Sequence, residues 1–134
     1  MIYDSLFDIM IKRDFMYKIH FYKDKKGYSQ VKEYIDNLIE KNDKTSRIKF
    51  NKILLYLQVL QVKGTYCGEP FVKHLDGKIW ELRPLRDRIL FAGIIENEFV
   101  LLHQFIKKTQ KTPQKEIEKA KKELQDFIER SVEL

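Results

Sequence analysis

In the second half of the chain the apolar residues gather into three short runs, Ile79 to Arg83, Ile89 to Ile95 and Phe99 to Ile106. They are separated by Pro84-Leu85-Arg86-Asp87 and by Glu96-Asn97-Glu98. Runs of this length, rich in β-branched, aromatic and leucine residues and bounded by turn formers, predict an antiparallel meander. The second and third runs are apolar at both parities, the pattern of central strands covered on two faces rather than of a half-exposed edge.

Upstream, Tyr17 to Tyr22 predicts a first strand closed by the turn Asp24-Lys25-Lys26-Gly27. Ser29 is a suitable N-cap, and Val31, Tyr34, Ile35, Leu38 and Ile39 follow at the spacing of one helical stripe. A second helix is predicted from about Thr45 to Lys63, ending at Gly64, with Ile48, Leu55, Val59 and Val62 as its buried face. The link between the two helices is short, so a helical hairpin on one face of the sheet is expected. Thr65 to Gly77 reads as a polar loop whose Phe71, Val72 and Leu75 dock at the sheet edge. After the meander, Thr112 caps and Pro113 opens a last helix with the stripe Ile117, Ala120, Leu124, Phe127 and Ile128. The order is β-α-α-β-β-β-α, an α+β class with a mainly antiparallel sheet. Ile2, Leu6, Ile9 and Met10 are helically spaced, but Met1 to Phe15 is short for an independent helix. Residues 1–15 are therefore read as an extension, from an upstream start codon, and 16–134 as one domain.

With 134 residues there is room for one core, and nothing calls for a second domain. Lysine and arginine outnumber aspartate and glutamate by 26 to 20, a net charge of +6, which favours acidic partners such as nucleic acid. Cys67 is the one cysteine, so no internal disulfide forms and a reducing compartment is expected. No CxxC or His/Cys cluster offers a zinc site, and no metal or cofactor is expected. No apolar run approaches the roughly 18 residues of a membrane span, and the N-terminus lacks the plan of a secretory signal, which predicts a cytoplasmic protein away from membranes. Arg83, Arg86, Arg88, Lys107, Lys108 and Lys111 stand at strand ends and turns, where cations remain available to a polyanion.

Three pieces carry a further signal: Lys73-His74-Leu75-Asp76-Gly77-Lys78-Ile79-Trp80-Glu81-Leu82-Arg83, then Arg86 to Arg88, then Leu102-His103-Gln104-Phe105-Ile106-Lys107-Lys108-Thr109-Gln110-Lys111-Thr112-Pro113. The pairing of a WELR strand with an LLHxFxKKTxKTP strand and turn resembles the HigB branch of the RelE/ParE toxin superfamily, from about Met16 to Ile128. That resemblance implies the compact RelE-like fold and the toxin of a type II toxin-antitoxin system. It implies a ribosome-dependent mRNA endoribonuclease, with the ribosome, mRNA and a HigA-like helix-turn-helix antitoxin as partners in a hetero-oligomer. Lys73, His74, Lys78, Phe105 and Lys111 are then the expected RNA contacts. Two alternatives belong to other classes: a ParE-like toxin acting on DNA gyrase without cleavage, and a basic module that binds nucleic acid without cutting it.

The residue types suit such chemistry. RNA is cut without metal when its 2′-hydroxyl attacks the adjacent phosphorus, which calls for a base, an acid and fixed positive charge at the phosphorane. Arginine keeps its proton and forks onto phosphate oxygens, so Arg83, Arg86 and Arg88 are expected to clamp and stabilise. Proton transfer falls to Lys107 or Lys108, with His103 and His74 as alternatives. His103, Phe105 and Lys107 share strand parity, and the Phe105 ring offers a surface on which a base stacks. Each also has a plainer reading. His103 sits among Leu101, Leu102 and Phe105, where a satisfied core histidine is at home. Phe105 reads equally as core, the arginines as partners of Glu81 or Asp87, and the run Lys107, Lys108, Lys111, Lys115 as a solvated basic turn.

Overall fold

The computed structural model describes residues 17–132, and the predicted N-terminal extension lies outside them. The order is β1 (Lys18–Phe21), α1 (Gln30–Lys41), α2 (Lys44–Lys63), a 3-10 turn (Gly64–Cys67), β2 (Val72–Asp76), β3 (Ile79–Leu82), β4 (Asp87–Gly93), β5 (Glu98–Ile106) and α3 (Gln114–Val132). The five strands form one sheet in the order β1-β5-β4-β3-β2. β2 to β5 are an antiparallel meander, and β1 joins β5 in parallel. The chain thus starts at one edge, crosses through α1 and α2 to the other edge, and returns strand by strand. The class is α+β, as the pattern predicts.

Local chemistry fixes the helix ends. Ser29 accepts from the Lys32 amide at 3.2 Å, and Asp43 accepts from the Ser46 amide at 2.8 Å, so each helix has one orphan N-terminal donor satisfied. Between them Asn42 takes the left-handed conformation and returns its amide to the Leu38 carbonyl, which closes the hairpin in two residues.

Both faces of the sheet are covered. On one, Ile35, Leu57 and Leu60 of the hairpin pack on Leu82, Ile89, Phe91 and Leu101. On the other, Ala120 and Leu124 of α3 pack on Ile79, Leu90, Ala92, Val100 and Leu102. β4 therefore sends Ile89 and Phe91 one way and Leu90 and Ala92 the other, which is why its sequence is apolar at both parities. Full burial of each such leucine or isoleucine is worth about 1.5–3 kcal/mol. Beyond β1, Tyr22 donates to Asp126 at 2.7 Å, and Arg130 is 2.8 Å from the same carboxylate, which anchors the far end of α3 to the sheet edge.

Three expectations are corrected. The buried face of α2 is Ser46, Ile53, Leu54, Leu57, Leu60 and Gln61, while Ile48, Leu55 and Val62 are 49%, 47% and 49% exposed. α2 carries apolar residues on two sides, so periodicity fits either stripe, and only the broader one meets the sheet. Val72 to Asp76 is a strand rather than a loop, and the order is β-α-α-β-β-β-β-α. It pairs on one side only, so exposed Lys73, His74 and Asp76 cost it nothing and erase the apolar signal. Thr112 does not cap α3. The Pro113 carbonyl accepts from the Glu116 amide at 3.0 Å, and the Thr112 hydroxyl turns inward to Glu81. Among the described residues, no helix is long and apolar enough to cross a membrane.

Candidate functional site

The start of β4, the end of β5 and the loop from Lys107 to Pro113 meet at one end of the sheet. A bulge in β5 sets what faces where. Leu90 pairs with His103 and Phe91 with Leu101, so Leu102 is the extra residue. Leu102 and His103 both turn towards α3, and every later side chain of the strand changes face. Gln104 consequently points to the hairpin side, where it donates to Asp87 at 2.9 Å and holds Gln30 at 3.0 Å. Tyr34 of α1 reaches the same carboxylate at 2.6 Å. Burial, and then that bond, push the Tyr34 phenol above its usual pKa.

A cleft of about 520 Å³ opens between this network and the loop, with Tyr34, Arg88, Gln104 and Phe105 along its floor. Its rim is Lys107, Lys108, Lys111 and Lys115. A second, shallower recess shares Arg88, Lys107 and Lys108 and adds Arg86. The lysines are held at the rim by the backbone: the Lys107 amide donates to the Arg86 carbonyl at 2.8 Å, and Arg86 Nη2 donates to the Lys107 carbonyl at 2.9 Å.

Arg88 is the cation at the centre, and it is only 6% exposed. Its Nη1 donates to the carbonyls of Leu85 and Asp87, both at 2.8 Å, and its Nε lies 3.7 Å from Glu81 Oε1. Leu85 takes a left-handed conformation, φ 59°, which aims its carbonyl at that nitrogen. Such a backbone costs a leucine about 1–2 kcal/mol and is found where surrounding structure imposes it. Burial, together with the Arg83 and Arg86 charges, draws the Arg88 guanidinium below its usual pKa, against the opposing pull of Glu81. Nη1 is thus engaged by two carbonyls and Nε faces the Glu81 charge, while Arg88 lines the cleft.

The remaining sequence-predicted residues divide sharply. Arg86, Arg88, Phe105, Lys107, Lys108 and Lys111 are brought together. Arg83 stands beside them rather than in the cleft, its Nε 3.6 Å from Glu81 and its Nη1 3.7 Å from Glu69. Lys73 lies on the edge strand opposite Glu81, and His74 is on the other face, its ring 5.0 Å from that of Trp80. Lys78 is at the far end of β3, in a groove against Lys121 and Leu124 of α3. His103, for which the sequence allows either proton transfer or a core role, lies in the core rather than in the cleft. It is 1% exposed, with Nδ1 2.5 Å from Glu123 and Nε2 3.0 Å from Glu116, so both ring nitrogens are occupied within the fold.

Sequence reasoning missed Tyr34, Gln104 and Thr112, and it treated Glu81 only as a neighbour of arginines. Tyr34 belongs to a helical stripe that reads as core, and no local spacing ties α1 to the end of β5. Among the described residues, no group of three or more His, Cys, Asp and Glu side chains is arranged to hold a metal ion. Guanidinium groups, an aromatic ring and several amines thus share one opening.

The family model described as "Phage derived protein Gp49-like (DUF891)" matches residues 39–125. That span runs from the end of α1 into α3 and holds every cleft residue except Tyr34. No curated protein matches the chain.

Proposed function

The chain belongs to the Gp49-like phage-derived family, part of the RelE/HigB-type toxin group, and from that premise we propose that it is a ribosome-dependent mRNA endoribonuclease. The observation that carries the reading is Arg88, buried and held at Nη1 by two carbonyls, in the lining of a cleft rimmed by four lysines. A preorganised cation in a water-poor site stabilises developing phosphorane charge far better than a mobile surface one.

In the proposed step the ribose 2′-oxygen forms a bond to phosphorus as the bond to the 5′-oxygen breaks, leaving a 2′,3′-cyclic phosphate. A base takes the 2′-hydroxyl proton and an acid delivers one to the 5′-oxygen. Arg88 and Arg86 hold the non-bridging oxygens. We assign proton movement to Lys107 and Lys108, which line both recesses, and base stacking to the Phe105 ring. An antitoxin partner follows from the toxin family; a HigA-like helix-turn-helix protein is the form we propose.

The test is expression of the wild type and of Arg86→Ala, Lys108→Ala in cells, followed by primer extension on a translated message. Discrete cuts inside the reading frame, absent from the folded double variant, are expected. Growth arrest with intact messages would overturn the nuclease reading and direct attention to DNA gyrase.

A further inference from the structure

Glu81 is a carboxylate in an unusual place. It lies in the middle of the chemistry-bearing end of the sheet, is 2% exposed, and contacts no lysine of the rim. Oε2 accepts the Thr112 hydroxyl at 2.5 Å, while Oε1 faces Arg83 Nε at 3.6 Å and Arg88 Nε at 3.7 Å. Arg83 Nε is buried and makes no hydrogen bond, so the Glu81 charge is its main compensation. A buried carboxylate is tolerated only when its neighbours answer it, and here three elements do so at once: the segment after β3, the start of β4, and Thr112 of the lysine loop.

Building on the nuclease reading, we infer that Glu81 is the positioning residue of the site, fixing which edge of Arg88 faces the cleft and tying the lysine loop to the sheet through Thr112. The Arg88 guanidinium is planar, so two carbonyls on Nη1 and the Glu81 charge 3.7 Å from Nε together orient its remaining edge. Without the Glu81 charge, Arg88 and Arg83 repel across the vacated side, and Arg88 swings into the cleft, where it meets a phosphate in unproductive orientations. Through Thr112 the same carboxylate sets the distance between the lysine rim and Arg88. Glu81 touches no substrate in this scheme. Its action passes entirely through Arg88 and the loop.

Two readouts on the full chain separate this role from plain stability. The first is the side-chain Nε–Hε resonance of Arg88 in ¹⁵N-labelled protein. It should exchange slowly with water in the wild type and rapidly in Glu81→Gln, while the amide spectrum of β4 and β5 is retained. The second is kinetics on a ribosome-bound message. Glu81→Gln should lower kcat about 100-fold with KM unchanged or smaller, because the binding charge is intact and only its geometry is lost. Thr112→Val, nearly isosteric, should lower kcat about tenfold and raise the fast motion of the Lys107–Thr112 amides. An Arg88 signal and a kcat as in wild type for Glu81→Gln would overturn the inference. Activity falling only in step with the folded fraction would overturn it equally. Should Glu81→Gln not fold, Thr112→Val decides, since wild-type kcat and an unmoved loop refute the tie. A wild type that cuts no message sinks the nuclease reading alone, and the Arg88 resonance still judges the positioning role.

Discussion

Glu123 of α3 places its Oε1 2.5 Å from Nδ1 of His103, and Glu116, two helical turns earlier, sets its own 3.0 Å from Nε2. One buried ring thereby rivets α3 to the middle of the sheet at two points. Each ring nitrogen has one carboxylate as its partner. In His103→Ala these two partly buried carboxylates lose their partner and face an emptied site. A loss of about 3 kcal/mol is expected in urea unfolding, with message cleavage per folded molecule kept. A folded variant whose cleavage falls about 100-fold would return His103 to the chemistry.

The lysine rim makes a separate prediction about binding. Affinity for a single-stranded RNA should fall steeply with salt, each neutralised phosphate adding about 0.7 to the slope of log K against log salt. Lys108→Ala and Lys111→Ala should each reduce that slope by about this amount. Lys78→Ala should leave it as in wild type, since Lys78 lies in the groove beside Lys121 rather than on the rim. Equal effects of all three substitutions in fluorescence anisotropy would mean that RNA spreads over the whole basic surface.

How much of this could be read from the chain depends on how local each signal is. The α1 stripe and its Ser29 cap, the doubly apolar β4 and β5, and the basic turn after β5 are all decided by neighbours within a few residues, and each appears as expected. α2 is different. Ile48, Leu55, Val59 and Val62 form as regular a stripe as Ile53, Leu57 and Leu60, and the choice is made by a sheet most of whose strands come later in the chain. β2 hides because an edge strand needs few apolar residues. The bulge at Leu102 has no sequence mark, yet it decides that Gln104 joins Asp87 and that His103 meets α3. Glu81 and Thr112 are 31 residues apart, and their bond exists only once the meander has closed. The cations that gather at the cleft are thus marked locally in the chain, whereas the groups that hold them are not.

Gly64 ends α2 with φ +60°, and a Cβ built there would lie 2.7 Å from the Tyr17 ring. Both facts oppose a side chain. Positive φ with ψ −155° is a region essentially confined to glycine and costs another residue about 1–3 kcal/mol, and overpacking adds a similar amount. Gly64→Ala is expected to lose about 2–6 kcal/mol in all, measured by chemical denaturation. The effect should shrink in Gly64→Ala, Tyr17→Ala, because the ring is no longer there to be displaced. Losses that simply add would place the whole cost in the backbone.

The alkaline limit of the fold follows from Tyr22. Burial, then its hydrogen bond to Asp126, pushes this phenol from 10.0 up to about 12. The folded state thus favours the neutral form more than the unfolded chain does. Below pH 10 both states are neutral and the contribution to stability is complete. As pH rises from 10.0 towards about 12, the unfolded chain ionises first, and stability falls across that window. Tyr34 is shifted in the same direction and adds to the fall. Urea midpoints measured between these pH values should therefore decline less steeply in Tyr22→Phe than in wild type, although the variant starts lower for want of the Asp126 bond. In parallel, absorbance at the phenolate band should show Tyr22 ionising later in the folded protein than in the urea-unfolded chain. An identical decline in both proteins would mean that the Tyr22 hydroxyl is free in solution and that α3 is not fastened there.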